Sequence, residues 1–304
     1  MNSRLLLLCS GQGQQHAGMF TMLRDDRHAA AIRDLCRSEL DAVSAEPEHL
    51  FINQFAQPLI AASQMAVWET IKNKVPKPSL VAGYSIGELS AYGIAGMLNA
   101  EQVIGLARQR AQFMDACRDP QQEQIMLAVN GIHLSHAKSM IERYGFEIAI
   151  VNGDDAFIAG GVRDQLIALE VELTAHGGKL QRLPVHIASH TSWMNNALAP
   201  FYERLDSSQF HAGICPVISG KDGTQIHDKQ SALTQLSHQL VETIYWRDCM
   251  DAFAENGISI ALELGPGTAL SKMLQARQPQ ITCRSISEFR SIDGVTHWLS
   301  RHFE

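Results

Sequence analysis

The sequence is short of the features that mark several protein classes. Its six cysteines (Cys9, Cys36, Cys117, Cys215, Cys249 and Cys283) are scattered over 304 residues, and none forms a Cys-x-x-Cys pair. That argues against a zinc site or a disulfide framework and fits reduced thiols in a cytoplasm. Long apolar runs are missing. Leu5 to Cys9 is the longest near the N-terminus, too short for a signal-peptide core or a membrane span, and polar Ser10 to Gln15 follows at once. Neither export nor a membrane is expected. Positive charge is in deficit, with 25 Lys and Arg against 32 Asp and Glu, and a net charge of −7 does not suit a general nucleic-acid binder. No Gly-Lys-Ser/Thr follows Gly11 and Gly13, which disfavours a phosphate loop. What is there, 45% apolar and 19% charged residues, is the composition of a folded chain of one large domain or two smaller ones.

One stretch organises the rest. Val81-Ala82-Gly83-Tyr84-Ser85-Ile86-Gly87-Glu88 is a short apolar run ending in Gly-x-Ser-x-Gly, with helix-forming residues to Leu98. The pattern predicts a strand, a sharp turn and a helix with Ser85 at the apex, where Gly83 and Gly87 remove β-carbons that would collide with the backbone. The Ile86 N–H and the positive end of the helix would face an oxyanion formed beside Ser85, as acyl transfer through a serine ester requires. The motif alone is weak, since roughly one chain in ten of this length holds it by chance. Its setting carries the case.

Arg4 to Cys9 reads as a buried strand, with Ser10 to Gln15 as a polar loop at its end. That loop is either a glycine turn solvated by glutamines or a second wall of the site, since open α/β sheets bind ligands there. Asn53 to Lys74 has the periodicity of a buried helix stopped by Pro76 and Pro78, and Asn99 caps a helix from Ala100 to about Cys117. On that helix Val103, Leu106, Ala107, Arg110, Phe113, Met114 and Cys117 share one face, so Arg110 lies inside an apolar stripe. A guanidinium there needs an anion. Two readings stand side by side: an internal ion pair with Glu88, or a substrate carboxylate gripped by the planar fork.

From 125 the texture shortens. Strands over 125–131, 147–152, 156–160 and 179–184 and helices over 135–144 and 163–176 give βαββαβ, the ferredoxin-like pattern. Residues 125–191 are therefore read as a small domain inserted into a discontinuous large one, 1–124 and 192–304. His186 and His190 close the insertion, and either is positioned to reach back across the cleft; with no third ligand at a useful spacing, no metal is expected. Cys215–Ser219 and Ile258–Leu264 read as further strands, and Gly265-Pro266-Gly267-Thr268 as a tight turn into a helix.

Taken together, the residues resemble the malonyl-CoA:acyl carrier protein acyltransferases over nearly the whole chain. The resemblance rests on Gly11 to Gln15, Gln57-Pro58, Gly83 to Glu88, Arg110 with Phe113-Met114, Asn152, Ser189-His190, Gln239 before Trp246, and Gly265-Pro266-Gly267. It implies an α/β-hydrolase-like large domain with an inserted ferredoxin-like small domain. It also implies Ser85 as nucleophile, His190 as its base oriented by the backbone carbonyl of Gln239, and an oxyanion hole from the N–H groups of Gln12 and Ile86. Arg110 would hold the malonyl carboxylate, supported by Gln57. No resident cofactor is implied: the coenzyme A thioester and the phosphopantetheine-type arm of an acyl carrier protein are substrates.

Two residues depart from the family pattern. Tyr84 stands where the family usually has histidine, and Gly-Tyr-Ser-x-Gly-Glu is similar to the epsilon subunit of malonate decarboxylase, which would add that enzyme's other subunits as partners. The decarboxylase role is therefore the first expectation and a transacylase of fatty-acid or polyketide synthesis the second. A Ser-His esterase and a silent docking subunit are more remote. The other departure is Ile187-Ala188-Ser189-His190: in related polyketide acyltransferases a Phe before the histidine goes with malonyl, and a Ser there with methylmalonyl. Strict exclusion of methylmalonyl is not expected.

Overall fold

The computed structural model describes residues 3–303. β1 (Leu5–Cys9) is buried at every position, which is why it reads as an unbroken apolar run: its neighbours in the sheet are parallel and both its faces are covered. α1 (Arg27–Leu35) and α2 (Arg37–Ala45) precede α3 (Asn53–Ile71), whose residues from Ala56 onward are almost all buried. β2 (Leu80–Gly83) leads into α4 (Ile86–Ile94), and Asn99 closes a capping box with Gln102 at the start of α5 (Ala100–Asp115).

The next six elements are β3 (Gln124–Asn130), α6 (Leu134–Arg143), β4 (Glu147–Val151), β5 (Ala156–Val162), α7 (Leu166–Ala175) and β6 (Lys179–Arg182). Their strands form an antiparallel sheet in the order β4-β5-β3-β6, with its own apolar cluster around Ile125, Leu127, Phe146 and Phe157. This is the ferredoxin-like arrangement that the element order predicts. Residues 163–165 make a 3-10 turn before α7, so the helix is shorter than its periodicity suggests.

The chain then returns through α8 (Asn195–Asp206), β7 (Val217–Ile218), β8 (Gln225–Ile226), α9 (Lys229–His238), α10 (Trp246–Glu255), β9 (Ile260–Leu264), α11 (Ala269–Arg277), β10 (Thr282–Ser285) and α12 (Ile292–Ser300). β9 starts two residues later than the apolar run implies. Gly257 (φ 68) and Ile258, whose N–H bonds back to Phe253, are spent on closing α10. β8 and β10 have no apolar run to announce them.

The large sheet runs β10-β9-β1-β2-β7-β8, parallel except for β8. Chain order reverses at β1, which lies between β9 and β2. The crevice beyond the carboxyl ends of these strands is where an open α/β sheet binds ligands, and three loops meet there: 10–15 after β1, 84–85 after β2 and 265–268 after β9. The small sheet is held beside this edge by the segment after α9. Ile244 exchanges backbone hydrogen bonds with Ala149 and Val151 at β4, and the His190 N–H donates to Leu240 O. Among the described residues no helix is long and apolar enough to cross a membrane, and the six cysteines are free thiols.

Candidate active site

Ser85 sits at the apex of the β2–α4 turn with φ 54 and ψ −117. The flanking glycines permit this. A Cβ on Gly83 would stand 2.1 Å from the Gly87 carbonyl carbon, and one on Gly87 would stand 2.2 Å from Cys9 O. A side chain at Gly83 would collide with the first turn of α4, and one at Gly87 would drive the turn away from the end of β1.

Of the two candidate histidines, His186 is exposed and His190 is buried against Ser85. Ser85 Oγ lies 2.8 Å from His190 Nε2, and His190 Nδ1 lies 2.5 Å from Gln239 O. A carbonyl only accepts, so Nδ1 carries the proton, and Nε2 is left with a lone pair for the serine hydroxyl. Burial, and then the Arg110 charge, push the imidazolium pKa down to about 3, against the opposing pull of Gln239 O. The ring is a neutral base at neutral pH. A hydroxyl paired to a base that a third group orients is the arrangement of an activated nucleophile.

Arg110, on the buried face of α5, is 2% exposed. Nη1 donates to Gln57 Oε1 at 2.9 Å; Nη2 donates to Gln239 Oε1 at 3.1 Å and to Ser85 Oγ at 3.4 Å. These partners are all neutral oxygens. The direct ion pair with Glu88, one of the two sequence readings, is not formed, because the Gln239 carboxamide lies between them and its Nε2 donates to Glu88 Oε2. Burial pulls the Arg110 pKa down to about 10, which leaves the group charged at neutral pH. The Glu88 charge acts on it only across the Gln239 amide, and a charged guanidinium whose direct partners are neutral oxygens is equipped to receive an anion. Gln57 is itself anchored, donating to Asn53 Oδ1 at 2.6 Å.

The loop after β1 is not a turn solvated by its glutamines. Gln15 is buried, its Oε1 taking the Gly13 N–H and its Nε2 reaching Leu50 O; Gln14 Oε1 takes the Thr268 N–H; Gln64 Nε2 donates to Ser10 O. These bonds fix the loop against the elbow, where the Tyr84 N–H donates to Cys9 O. Among the described residues no protein acceptor partners the N–H of Gln12 or Ile86. Two free donors at the end of the sheet are what an oxyanion hole needs.

A family model, the acyl transferase domain, matches residues 6–282. The chain belongs to this family. The malonyl CoA-acyl carrier protein transacylase of Bacillus subtilis (strain 168) is 24% identical to this acyl transferase over 305 residues, covering 96% of each chain. The transacylase structure from Xanthomonas oryzae matches with a TM-score of 0.90 at 26% identity and covers 98% of both chains. That from Coxiella burnetii matches with a TM-score of 0.92 at 23% identity, covering 100% of this chain and 99% of the other.

In the acyl transferase, Glu147, His190, Lys221, Asp222, Glu242 and Tyr245 are among the residues lining an open cleft of about 360 Å³ that borders the histidine but neither Ser85 nor Arg110. A larger cavity of about 430 Å³, between α3 and residues 286–290, touches none of Ser85, His190 and Arg110, so size does not mark this site. Sequence reasoning missed the side chain of Gln239, expected only for its backbone carbonyl, and the contact from Tyr84 OH to Asn152 Oδ1 (3.1 Å) that ties the elbow to the small sheet. The signal available for the first was Glu88, a carboxyl in the otherwise apolar start of α4.

Proposed function

We propose that the protein moves a malonyl group from malonyl-CoA to the thiol of an acyl carrier protein's pantetheine-type arm through an ester on Ser85. The observation that carries this is Arg110: charged, buried, held by neutral oxygens and 3.4 Å from the Ser85 hydroxyl. An acyl group ending in a carboxylate supplies the directly bonded anion that Arg110 lacks, and the two glutamines aim the fork that receives it.

Ser85 Oγ attacks the thioester carbonyl while its proton passes to His190 Nε2. The tetrahedral oxyanion is met by the N–H groups of Gln12 and Ile86, and its collapse expels the coenzyme A thiolate, which takes the proton from His190. The carrier thiol repeats the sequence in reverse, giving its proton to His190, attacking the serine ester and releasing Ser85. No resident cofactor enters, since both thiols belong to substrates. The transacylase names of the relatives support the same donor and acceptor.

The second reading keeps this chemistry and changes its setting. Tyr84, in place of the family's usual histidine, favours a transferase subunit of malonate decarboxylase, whose other subunits would then be partners. The three relatives named above are transacylases, so the free-standing transacylase comes first.

Intact mass after brief exposure to malonyl-CoA, then to a carrier protein bearing the arm, tests the proposal. A malonyl adduct on Ser85 that discharges faster to thiol than to water is expected. Discharge to water alone would make the protein an esterase, and the absence of an adduct would make it a docking subunit.

A further inference from the structure

Glu88 is fully buried in the first turn of α4, and the chemistry above does not use it. Oε2 accepts from the Gly220 N–H at 2.9 Å and from Gln239 Nε2 at 2.5 Å, while Oε1 has no partner among the described residues. Gly220 comes this close only because it lacks a side chain; a Cβ there would lie 2.8 Å from Oε2. Gln239 is thus held between two groups of opposite hydrogen-bonding character. On one side is a carboxylate, which only accepts, and on the other the Arg110 guanidinium, which only donates. An amide in that position has one stable orientation, with Nε2 toward Glu88 and Oε1 toward Arg110. The additional bond from Nε2 to Ser85 O at 3.2 Å agrees with it.

We propose that Glu88 is a positioning residue: its carboxylate fixes the orientation of the Gln239 carboxamide, and that amide in turn aims Arg110 at the acyl carboxylate beside Ser85. Protonated, Glu88 becomes able to donate to Oε1. The amide is then free to turn over and present N–H groups to the guanidinium, which pushes Arg110 out of line. The inference rests on the function proposed above, in which Arg110 receives a carboxylate.

Glu88 changes charge in the range where the protein would work. Burial raises its pKa to about 7, against the lowering pull of Gly220, Gln239 and the more distant Arg110. Arg110 on α5 supplies the cation that lowers it, and Asp222, in the turn between β7 and β8, adds the like charge that raises it. Tyr92 on the same helix and Cys249 on α10 are both held well above their usual values by burial and stay neutral. Lys221 is paired with Glu242. His190, with its pKa near 3, does not titrate near neutrality. An acid limb there belongs to Glu88.

The test compares acylation of Ser85 by malonyl-CoA and by a neutral aryl ester, p-nitrophenyl acetate, across the pH range for wild type, Glu88→Gln, Glu88→Asp and Gln239→Leu. In wild type, malonyl kcat/KM should fall about tenfold per pH unit below a midpoint near 7. Glu88→Gln should be at least about tenfold slower with malonyl-CoA at high pH and show no such limb, while its aryl-ester rate stays near wild type. Glu88→Asp, which keeps a carboxylate, should restore the limb. Gln239→Leu removes the amide but leaves the carbonyl for His190, so its malonyl rate should lose the limb as in Glu88→Gln, and this variant serves if Glu88→Gln does not fold. An unchanged malonyl rate and limb in Glu88→Gln would overturn the role of Glu88 alone, as would parallel loss of both activities with a lowered melting temperature. If wild type takes the aryl ester but no carboxylate-bearing thioester, the reading of Arg110 fails and Glu88 falls with it.

Discussion

Ser85 and His190 are the only non-glycine residues with positive φ among those described, at 54 and 62, and their side chains meet at 2.8 Å. Each conformation is disfavoured for a residue with a β-carbon and costs of order 1–3 kcal/mol unless its surroundings hold it. The elbow glycines hold the first, and the backbone bond from His190 to Leu240 O holds the second. Strain at two positions 105 residues apart that converge on one hydrogen bond marks a pair whose geometry the rest of the fold maintains.

The first prediction concerns that pair. Ser85→Ala should take up no malonyl group, because a methyl group cannot attack; a persisting adduct by intact mass would place the nucleophile elsewhere. His190→Ala should load slower by about 10²–10⁴, the usual contribution of a positioned base. Stopped-flow release of coenzyme A measures it, and a near-normal rate would point to another base.

The second prediction concerns stability against pH. His190 has a folded pKa near 3, below its ordinary 6.5, so the unfolded chain binds the extra proton and stability from this group falls as pH drops through that window. Glu88 acts the other way between 4.5 and about 7, where the folded state holds the proton and stability rises as pH falls. In wild type the two oppose each other over their shared range. Glu88→Gln should uncover the His190 slope, up to about 1.4 kcal/mol per pH unit, in urea titrations at a series of pH values. Identical slopes in both proteins would show that these groups do not titrate as described.

The third prediction concerns selectivity. Ser189, before the histidine, is small and 8% exposed. Methylmalonyl-CoA should therefore load Ser85 measurably, behind malonyl-CoA by no more than the 10- to 200-fold that about one extra carbon costs in a fitted pocket. Competition between the two thioesters, read by intact mass, decides it; complete exclusion of methylmalonyl would mean that the site is closed by residues other than Ser189.

What was legible in the sequence was local. The elbow follows from a strand, two glycines and a helix within eight residues, Arg110 from the helical period on α5, and the small sheet from alternating short elements. What was hidden depends on contacts between distant parts of the chain. Glu88 and Gln239 are 151 residues apart, and nothing around Gln239 indicates that its amide lies between a carboxylate and a guanidinium. The loop glutamines look solvated until Leu50 and Thr268 are brought to them. β8 and β10 were silent because Gln225–Ile226 is two residues long and Thr282–Ser285 alternates burial without an apolar run.

The claim that Arg110 receives the carboxylate of the acyl group is tested most directly by Arg110→Ala, measuring kcat/KM for malonyl-CoA and acetyl-CoA together with the melting temperature. Malonyl transfer should lose on the order of 2–5 kcal/mol, the range for truncating one partner of a buried charge pair, while acetyl transfer falls much less or rises, with the melting temperature close to wild type. An unchanged malonyl-to-acetyl ratio, with both activities and the melting temperature falling together, would contradict it.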